Sequence, residues 1–200
     1  MSAERLWGGK RVEVLATRRL YDGFFKLDQV THRYERRNGS LSAPLERLVF
    51  ERGDAVGVLP YNVERQCVVL VRQFRLPAYL RDGDGWLWEI IAGTIDGGRA
   101  PEAVALAEAS EEAGLILGTL DHVSTCYLSC GACTERIHIY TAPYDAESRI
   151  GEGGGLAVEG EDIEVREVAW REALDMVARG DIRDAKAIIA LQHLALRPPW

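Results

Sequence analysis

An acidic segment bounded by a proline and a glycine is the feature that most constrains how this 200-residue chain can fold. Pro101 suits the first position of a helix and Gly114 suits the position just past its end, so the sequence predicts a helix between them. Three carboxylates of this helix stand at i, i+3 and i+4 and therefore project from one face: Glu108, Glu111 and Glu112. Like charges at these spacings destabilise an exposed helix by roughly 0.2–0.5 kcal/mol per pair.

A divalent cation is one explanation of this acidic face, and an ordinary solvated surface is the other. Mg²⁺ requires oxygen ligands gathered at one point, and its charge would turn the repulsion between the carboxylates into attraction. The chain has a net charge of -7 and no basic block, which argues against binding to a nucleic-acid backbone. An acidic protein that acts on an anionic ligand instead needs a few placed arginines, or metal ions recruited by its own carboxylates.

The patterns of the remaining segments predict an α+β fold in which a mixed β-sheet is flanked by helices. Strand patterns occur at 55–59, 67–75, 86–91, 123–128, 136–144 and 163–170, and helical patterns at 171–179 and 185–196. The segment 144–160 is rich in glycine and is expected to form a mobile loop.

Residues 1–52 are expected to form a small antiparallel β unit, followed by a main domain over 53–200. Extended segments occur in this unit at 12–15, 24–27, 29–36 and 45–50. Asn38-Gly39 favours a tight hairpin turn because both residues tolerate positive φ. A unit of this size buries too little apolar surface to be stable alone. It is therefore expected to pack on the rest of the chain or on a second copy.

The residues from Gly93 to Leu115 resemble the Nudix box, which ends in Arg-Glu-aliphatic-x-Glu-Glu-x-Gly-aliphatic. The spacing matches without a gap, and the following positions agree with the motif: Gly93, Glu108, Ala109, Glu111, Glu112, Gly114 and Leu115. Two positions depart from it, since Arg99 stands where the box has its first Glu and Ala107 where it has its Arg. In the family those two residues brace each other, so their joint replacement leaves neither charge without its partner.

This resemblance implies the Nudix fold, an α/β/α sandwich, together with a set of metal ligands. Mg²⁺, or Mn²⁺ in its place, would be held by Ala92 (through its carbonyl), Glu108, Glu111, Glu112 and Glu161. Catalysis would involve Glu108, Glu112 and Glu159. Of these, Glu159 would take the proton from the attacking water, and Glu161 is the neighbour that would serve in its place.

Further segments resemble the ADP-ribose pyrophosphatase branch of the family. The residues that the resemblance assigns to the substrate are Arg52, Arg75, Gly131 and Glu135. Guanidinium groups suit a pyrophosphate because they donate two parallel hydrogen bonds. The segment Leu128–Glu135 departs from that branch at Cys130, which replaces a proline. The branch implies hydrolysis of a nucleoside diphosphate sugar, with ADP-ribose giving AMP and ribose 5-phosphate, by a homodimer joined through the N-terminal β unit.

Several alternatives stay open at this point. The departures at Arg99 and Ala107 fit a Nudix-fold module that binds a nucleotide sugar with weak or no catalysis, and GDP-mannose or another nucleotide sugar could replace ADP-ribose. The cysteines at positions 126, 130 and 133 have the spacing that holds an iron–sulfur cluster in radical enzymes. Those enzymes need a longer βα barrel, and no fourth Cys or His stands close enough for zinc.

The amino terminus lacks the apolar region of a signal peptide, and no apolar run is long enough to span a bilayer. A cytoplasmic protein without a membrane or nucleic-acid partner is therefore expected.

Overall fold

The computed structural model describes residues 10–156, 158 and 160–199, and the chain divides into two compact units. The first unit comprises the chain up to Gly53 together with Tyr127–Glu135. The second comprises Asp54–Cys126 and the chain from Arg136 onward. The unit expected from the N-terminal sequence thus also takes in a later segment. Within the described ranges, no helix has the length and apolar character needed to cross a membrane.

The first unit is an antiparallel sheet of three strands in the order β1 (Val12–Asp22), β2 (Lys26–Tyr34) and β3 (Leu45–Glu51). The later segment adds to β3, because the Phe50 N–H donates to the Ala132 carbonyl (2.8 Å) and the Thr134 N–H donates to the Phe50 carbonyl (3.1 Å). The prediction of a strand over 24–27 is wrong for Phe24 and Phe25, because β2 begins only at Lys26. Phe24 and Phe25 instead form the turn between β1 and β2, where their rings lie edge to face, 4.8 Å apart.

This first unit has little core of its own. Among its described residues no apolar side chain is fully buried, and β1 is exposed from Val14 to its end. Exposed apolar side chains on β1 and β3 are Val14, Leu15, Leu20, Tyr21 and Leu48. Cross-strand hydrogen bonds, such as those from Arg18 to Gln29, join side chains on opposite strands. Exposed hydrogen-bonded pairs of this kind contribute only modest net stability.

The second unit is a mixed sheet of seven strands built around β4 (Ala55–Asn62). β4 runs parallel to β9 (Arg136–Pro143) and antiparallel to β5 (Cys67–Phe74) and β7 (Ile91–Thr94). β10 (Glu164–Ala169) and β6 (Trp86–Glu89) pair with β5, and β8 (Asp121–Tyr127) pairs with β9. Every residue of β4 is buried, as expected of a strand that is covered on both faces.

Ile90 interrupts the single strand that the sequence predicts over 86–91. β4 and β5 pair with each other only near the turn that joins them. Farther along, β6 pairs with β5 and β7 pairs with β4, so the two short strands fill the space between the longer ones. This arrangement places Glu89, at the end of β6, and Ala92, in β7, in the middle of the sheet.

Helices cover both faces of this sheet, so the predicted α+β architecture is confirmed. α2 (Pro101–Ala113) packs against β4, β5 and β7, whereas α4 (Ala185–Leu196) packs against β4, β6 and β9 with α3 (Trp170–Arg179) beside it. Two apolar clusters result, one under α2 and one under α3 and α4. A short helix that the sequence analysis did not predict, α1 (Leu76–Asp82), follows β5 and buries none of its residues.

Candidate active site

Helix α2 has the bounds that the sequence predicts. It begins at Pro101 and ends at Ala113, and Gly114 follows in the left-handed conformation with φ of +61°. The acidic face of this helix is not uniformly solvated, because its three carboxylates differ in burial. They become less accessible in the order Glu111 (exposed), Glu108 (half-buried) and Glu112 (1% exposed).

Glu112 lies between α2 and β7. Its Oε2 accepts a hydrogen bond from the Ala92 N–H at 3.1 Å. Burial, together with the negative charges of Glu108 and Glu161, raises the pKa of Glu112 to about 8, against the opposing effects of the Ala92 N–H and Arg75. Three acids and one arginine are therefore close enough to act on one another's charge.

Glu108 lies over the backbone of β7. A Cβ at Gly93 would come within 2.0 Å of the Glu108 Oε1. Real side-chain carbons do not approach an oxygen so closely, so a glycine at this position lets the Glu108 carboxylate rest directly on the strand. Two successive residues of β7, Ala92 and Gly93, thus contact the two predicted catalytic carboxylates of α2.

The glycine-rich segment after β9, expected to be a mobile loop, is hydrogen-bonded to the end of α2. The Gly154 N–H donates to the Glu112 carbonyl (2.9 Å), and the Gly155 N–H donates to the Glu111 carbonyl (3.2 Å). Gly153 has φ of +75°, and a Cβ there would lie 2.3 Å from the Glu112 carbonyl. These contacts satisfy carbonyls that have no partner within the helix.

Glu161 lies near the far end of the same segment. Its carboxylate accepts a hydrogen bond from the Leu156 N–H at 2.8 Å, and its charge contributes to the raised pKa of Glu112. The glycine-rich segment therefore places Glu161 close enough to α2 for its charge to affect Glu112. Glu159, the predicted general base, lies outside the described residues, and its role remains a prediction.

Arg75 also lies near Glu112, but an acid that the sequence analysis missed holds its guanidinium. Arg75 donates from Nε to the Glu89 Oε1 (2.7 Å) and from Nη2 to the Glu89 Oε2 (3.0 Å). Glu89 is only 2% exposed. A signal for this pair was present in the sequence, because an acid that stands between Trp88 and Ile90 in an apolar strand segment is expected to need a partner if it is buried.

Glu89 has a second buried partner on α4. Lys186 donates to the Glu89 Oε2 and also to the Asp184 Oδ1 (3.0 Å). Asp184 caps α4 through its Oδ2, which accepts the Ala187 N–H (3.0 Å). Burial opposes ionisation of Glu89, but Arg75 and Lys186 hold the pKa of Glu89 below its usual value. The positive charges of Arg75 and Lys186 are therefore balanced by the negative charges of Glu89 and Asp184.

Three of the predicted substrate residues belong to the first unit: Arg52, Gly131 and Glu135. The Arg52 Nη1 lies 3.3 Å from the Glu135 Oε1, and its guanidinium lies over the ring of Phe25, 5.3 Å from the centroid. Gly131 is exposed in the segment that follows β8. The buried Nε of Arg52 has no hydrogen-bond partner among the residues that the structure describes. The Arg52 side chain as a whole is 33% exposed, so part of this cation is accessible to an anionic ligand.

The two departures from the box motif are accommodated locally. Arg99 pairs with Asp96 in the loop before α2, with 2.8 Å between Nη2 and Oδ1, and both side chains are well exposed. Ala107 is half-buried on α2. Because Arg99 forms an ion pair with Asp96 at the surface, its replacement of the motif's glutamate places no unpaired charge in the interior beside α2.

The acids around Glu112 fit a divalent cation by their chemistry. A carboxyl whose pKa is raised to about 8 by burial and by two neighbouring acids would be stabilised in its charged form by a cation, and carboxylate oxygens are the ligands that Mg²⁺ prefers. Among the described residues, however, no three His, Cys, Asp or Glu side chains are grouped as a metal site. Glu112 instead accepts the Ala92 N–H, so side chains would have to rotate for ligation. The four cysteines are free thiols.

Comparison with known proteins gives consistent matches over most of the chain. The NUDIX domain model matches residues 51–191. GDP-mannose pyrophosphatase of Cronobacter sakazakii is 42% identical over 187 residues, covering 93% of this chain and 96% of the relative. ADP-ribose pyrophosphatase of Escherichia coli strain K12 is 40% identical over 199 residues, covering 97% and 95%.

A solved structure described as an ADP compounds hydrolase supports the same fold. It has a TM-score of 0.68 at 19% sequence identity and covers 92% of both chains. The glutamate helix, the strand beneath it and the matched sequences all agree: this chain belongs to the Nudix family.

Proposed function

We propose that this protein hydrolyses the pyrophosphate bond of a nucleoside diphosphate sugar, with ADP-ribose as its substrate and a divalent cation as its cofactor. The observation that carries this proposal is the packing of two α2 carboxylates on β7, with Glu112 on the Ala92 N–H and Glu108 on Gly93. Arg75 lies close enough to influence the charge of Glu112. Acids that gather a cation beside an arginine suit a diphosphate.

The cofactor would be Mg²⁺, with Mn²⁺ as a substitute, and its ligands would be the Ala92 carbonyl, Glu108, Glu111, Glu112 and Glu161. The chemistry that such an ion supplies is neutralisation of charge on the diphosphate and acidification of water. Arg52 and Arg75, with Gly131 and Glu135, would hold the substrate. Glu159 would take the proton from the water that attacks phosphorus. The bond between phosphorus and the bridging oxygen then breaks, and ADP-ribose gives AMP and ribose 5-phosphate.

The test of this proposal is release of AMP from ADP-ribose by the purified protein with Mg²⁺, measured by chromatography against a reaction with excess chelator. We expect turnover that stops when the metal is removed. A protein that binds ADP-ribose in calorimetry without releasing AMP would instead be the non-catalytic module that the departures at Arg99 and Ala107 would fit.

GDP-mannose is the second candidate substrate, because relatives named GDP-mannose pyrophosphatase match this chain as closely as those named ADP-ribose pyrophosphatase. Hydrolysis of GDP-mannose would give GMP and mannose 1-phosphate. The ratio of kcat/KM for the two substrates, measured under the same conditions, decides between them. A ratio that favours GDP-mannose would overturn the assignment of ADP-ribose and leave the reaction type unchanged.

Substitution of Gly93 tests the packing of Glu108 on β7. In the Gly93→Ala variant the new Cβ would lie 2.0 Å from the Glu108 Oε1, so the carboxylate must move. We expect kcat/KM to fall about 10–100-fold, the range seen when groups that orient metal ligands are lost. The matched control is Gly118→Ala, where a Cβ meets nothing within 4 Å. Full activity in Gly93→Ala would contradict this role for Glu108.

We further propose that two copies of the chain associate through the first unit. Its described residues bury no apolar side chain fully, and β1 exposes Leu20 and Tyr21. In the Leu20→Lys variant we expect the dimer to weaken at least about tenfold, since burial of a leucine contributes roughly 1.5–3 kcal/mol. Light scattering at several concentrations measures this change. Leu196→Lys, which alters an exposed leucine of α4, is the control, and a monomeric parent protein would refute the proposal.

A further inference from the structure

Four charged side chains are joined in a row by hydrogen bonds around the buried Glu89. We call this set the Arg75 network: Arg75, Glu89, Lys186 and Asp184. Glu89 accepts hydrogen bonds from Arg75 and Lys186, and Lys186 also donates to Asp184. The side chains of Glu89 and Lys186 are 3% and 10% exposed, whereas that of Arg75 is 40% exposed. Arg75 is therefore the member of the network that can reach a ligand.

The two oxygens of Glu89 are divided between the two cations. Oε1 accepts the Nε of Arg75, whereas Oε2 accepts both the Nη2 of Arg75 and the Nζ of Lys186. Glu89 therefore binds the edge of the guanidinium formed by Nε and Nη2, and the Nη1 of Arg75 takes no part in this contact. A guanidinium that is held by one edge keeps a defined plane, which preserves its fork geometry for a second acidic partner.

The charge of Lys186 determines how much positive potential Arg75 retains. With Lys186 present, two cations balance Glu89 and Asp184. Without it, Arg75 alone would face both carboxylates, and its own charge would be largely compensated inside the protein. The guanidinium would then attract an anionic ligand less strongly, because a low local dielectric strengthens its attraction to Glu89.

We propose that Lys186 is a positioning residue for the substrate: by neutralising Glu89 from α4, it keeps the Arg75 guanidinium oriented and leaves its positive charge available to the diphosphate. This inference rests on the proposed function. Lys186 itself is buried and acts through Arg75. A purely structural ion pair between α4 and β6 is the competing explanation, and it predicts a loss of stability without a specific loss of substrate affinity.

The experiment is a double-mutant cycle between Lys186 and Arg75. KM and kcat for ADP-ribose with Mg²⁺, and the Kd of its non-hydrolysable α,β-methylene analogue, are measured for Lys186→Met, Arg75→Ala and the double variant. We expect Lys186→Met alone to raise KM and Kd about tenfold, or ~1.4 kcal/mol, while kcat stays within about threefold. In the Arg75→Ala background the same change should have no further effect.

Two variants sharpen this test. Lys186→Arg keeps the positive charge and is expected to restore most of the affinity. Arg183→Met removes a cation three residues earlier, where Arg183 pairs with Asp82 at the surface, and is expected to leave KM and Kd unchanged. If Lys186→Met does not fold, Lys186→Gln replaces it in the cycle.

The outcomes separate this inference from the proposed function. An unchanged KM and Kd in folded Lys186→Met, or an equal effect with and without Arg75, would overturn the positioning role. A parent protein that binds the analogue in a Lys186-dependent way but releases no AMP would refute the proposed reaction and support the positioning role. A parent protein that binds neither this analogue nor the corresponding analogue of GDP-mannose would refute both.

Discussion

Replacement of Glu112 by glutamine is expected to lower kcat/KM by at least about a hundredfold, because loss of a group that merely orients a metal ligand already lowers affinity or activity about 10–100-fold. Glutamine keeps the shape of the side chain and its ability to accept the Ala92 N–H, but it removes the charge that a divalent cation requires. Steady-state kinetics with ADP-ribose at several Mg²⁺ concentrations measures the effect. Turnover within a few-fold of the parent protein would contradict a role for Glu112 in metal binding.

A stability measurement shows whether lost activity in Glu112→Gln reflects lost folding. The folded-state pKa of Glu112, about 8, lies above its ordinary value of 4.5. This group therefore destabilises the metal-free fold increasingly as pH rises from 4.5 to about 8, and it has no such effect below 4.5. In the absence of metal, Glu112→Gln is expected to have the same Tm as the parent near pH 4.5 and a higher Tm at pH 8. A lower Tm at pH 8 would indicate damage to the fold.

Replacement of Glu89 by glutamine is expected to destabilise the protein by about 3–5 kcal/mol at pH 7, the usual effect of removing one partner of a buried ion pair. Arg75 and Lys186 would keep their charges with only Asp184 to compensate them. For a chain of this length such a loss lowers Tm by roughly 10 °C. Urea denaturation at pH 7 measures the change in the free energy of unfolding.

The pH dependence of this effect follows from the depressed pKa of Glu89. Its contribution to stability is complete above the ordinary pKa of 4.5 and is lost as pH falls through the lower folded-state value. The difference between the parent and Glu89→Gln should therefore shrink in acid. Glu172→Gln is the control, since Glu172 pairs with Arg179 at the surface with both side chains about half exposed, where such pairs contribute at most about 1 kcal/mol. Equal losses in the two variants would contradict a special role for the buried pair.

Local rules predicted the parts of the site that depend on nearby residues. The bounds of α2 follow from Pro101 and Gly114, and the shared face of its glutamates follows from helical spacing. The relation of the box to Ala92 and Gly93 could be predicted for the same reason, since only a short loop separates strand and helix. The C-terminal helix is predicted over 185–196 and observed as Ala185–Leu196.

Predictions failed where distant parts of the chain set the conformation. The sequence pattern predicts one strand over 86–91. In the structure β6, before Ile90, pairs with β5, whereas β7, after Ile90, pairs with β4, so the strand is interrupted at Ile90. The glycine-rich segment is a loop, as predicted, but local sequence could not show that its N–H groups donate to the unpaired carbonyls at the end of α2. Phe24 and Phe25 have strand propensity, but the turn between β1 and β2 falls on them.

The sequence alone determined the family, the glutamate helix and the mixed α+β fold, because helical periodicity and motif spacing are properties of neighbouring residues. Only the tertiary structure decided that Glu112, rather than Glu111, is buried against β7, and that Glu89 joins Arg75 to a lysine 97 residues away from it. Which side chains are buried, and which buried charges form pairs, depends on which distant elements pack against each other. The local sequence pattern does not specify that packing.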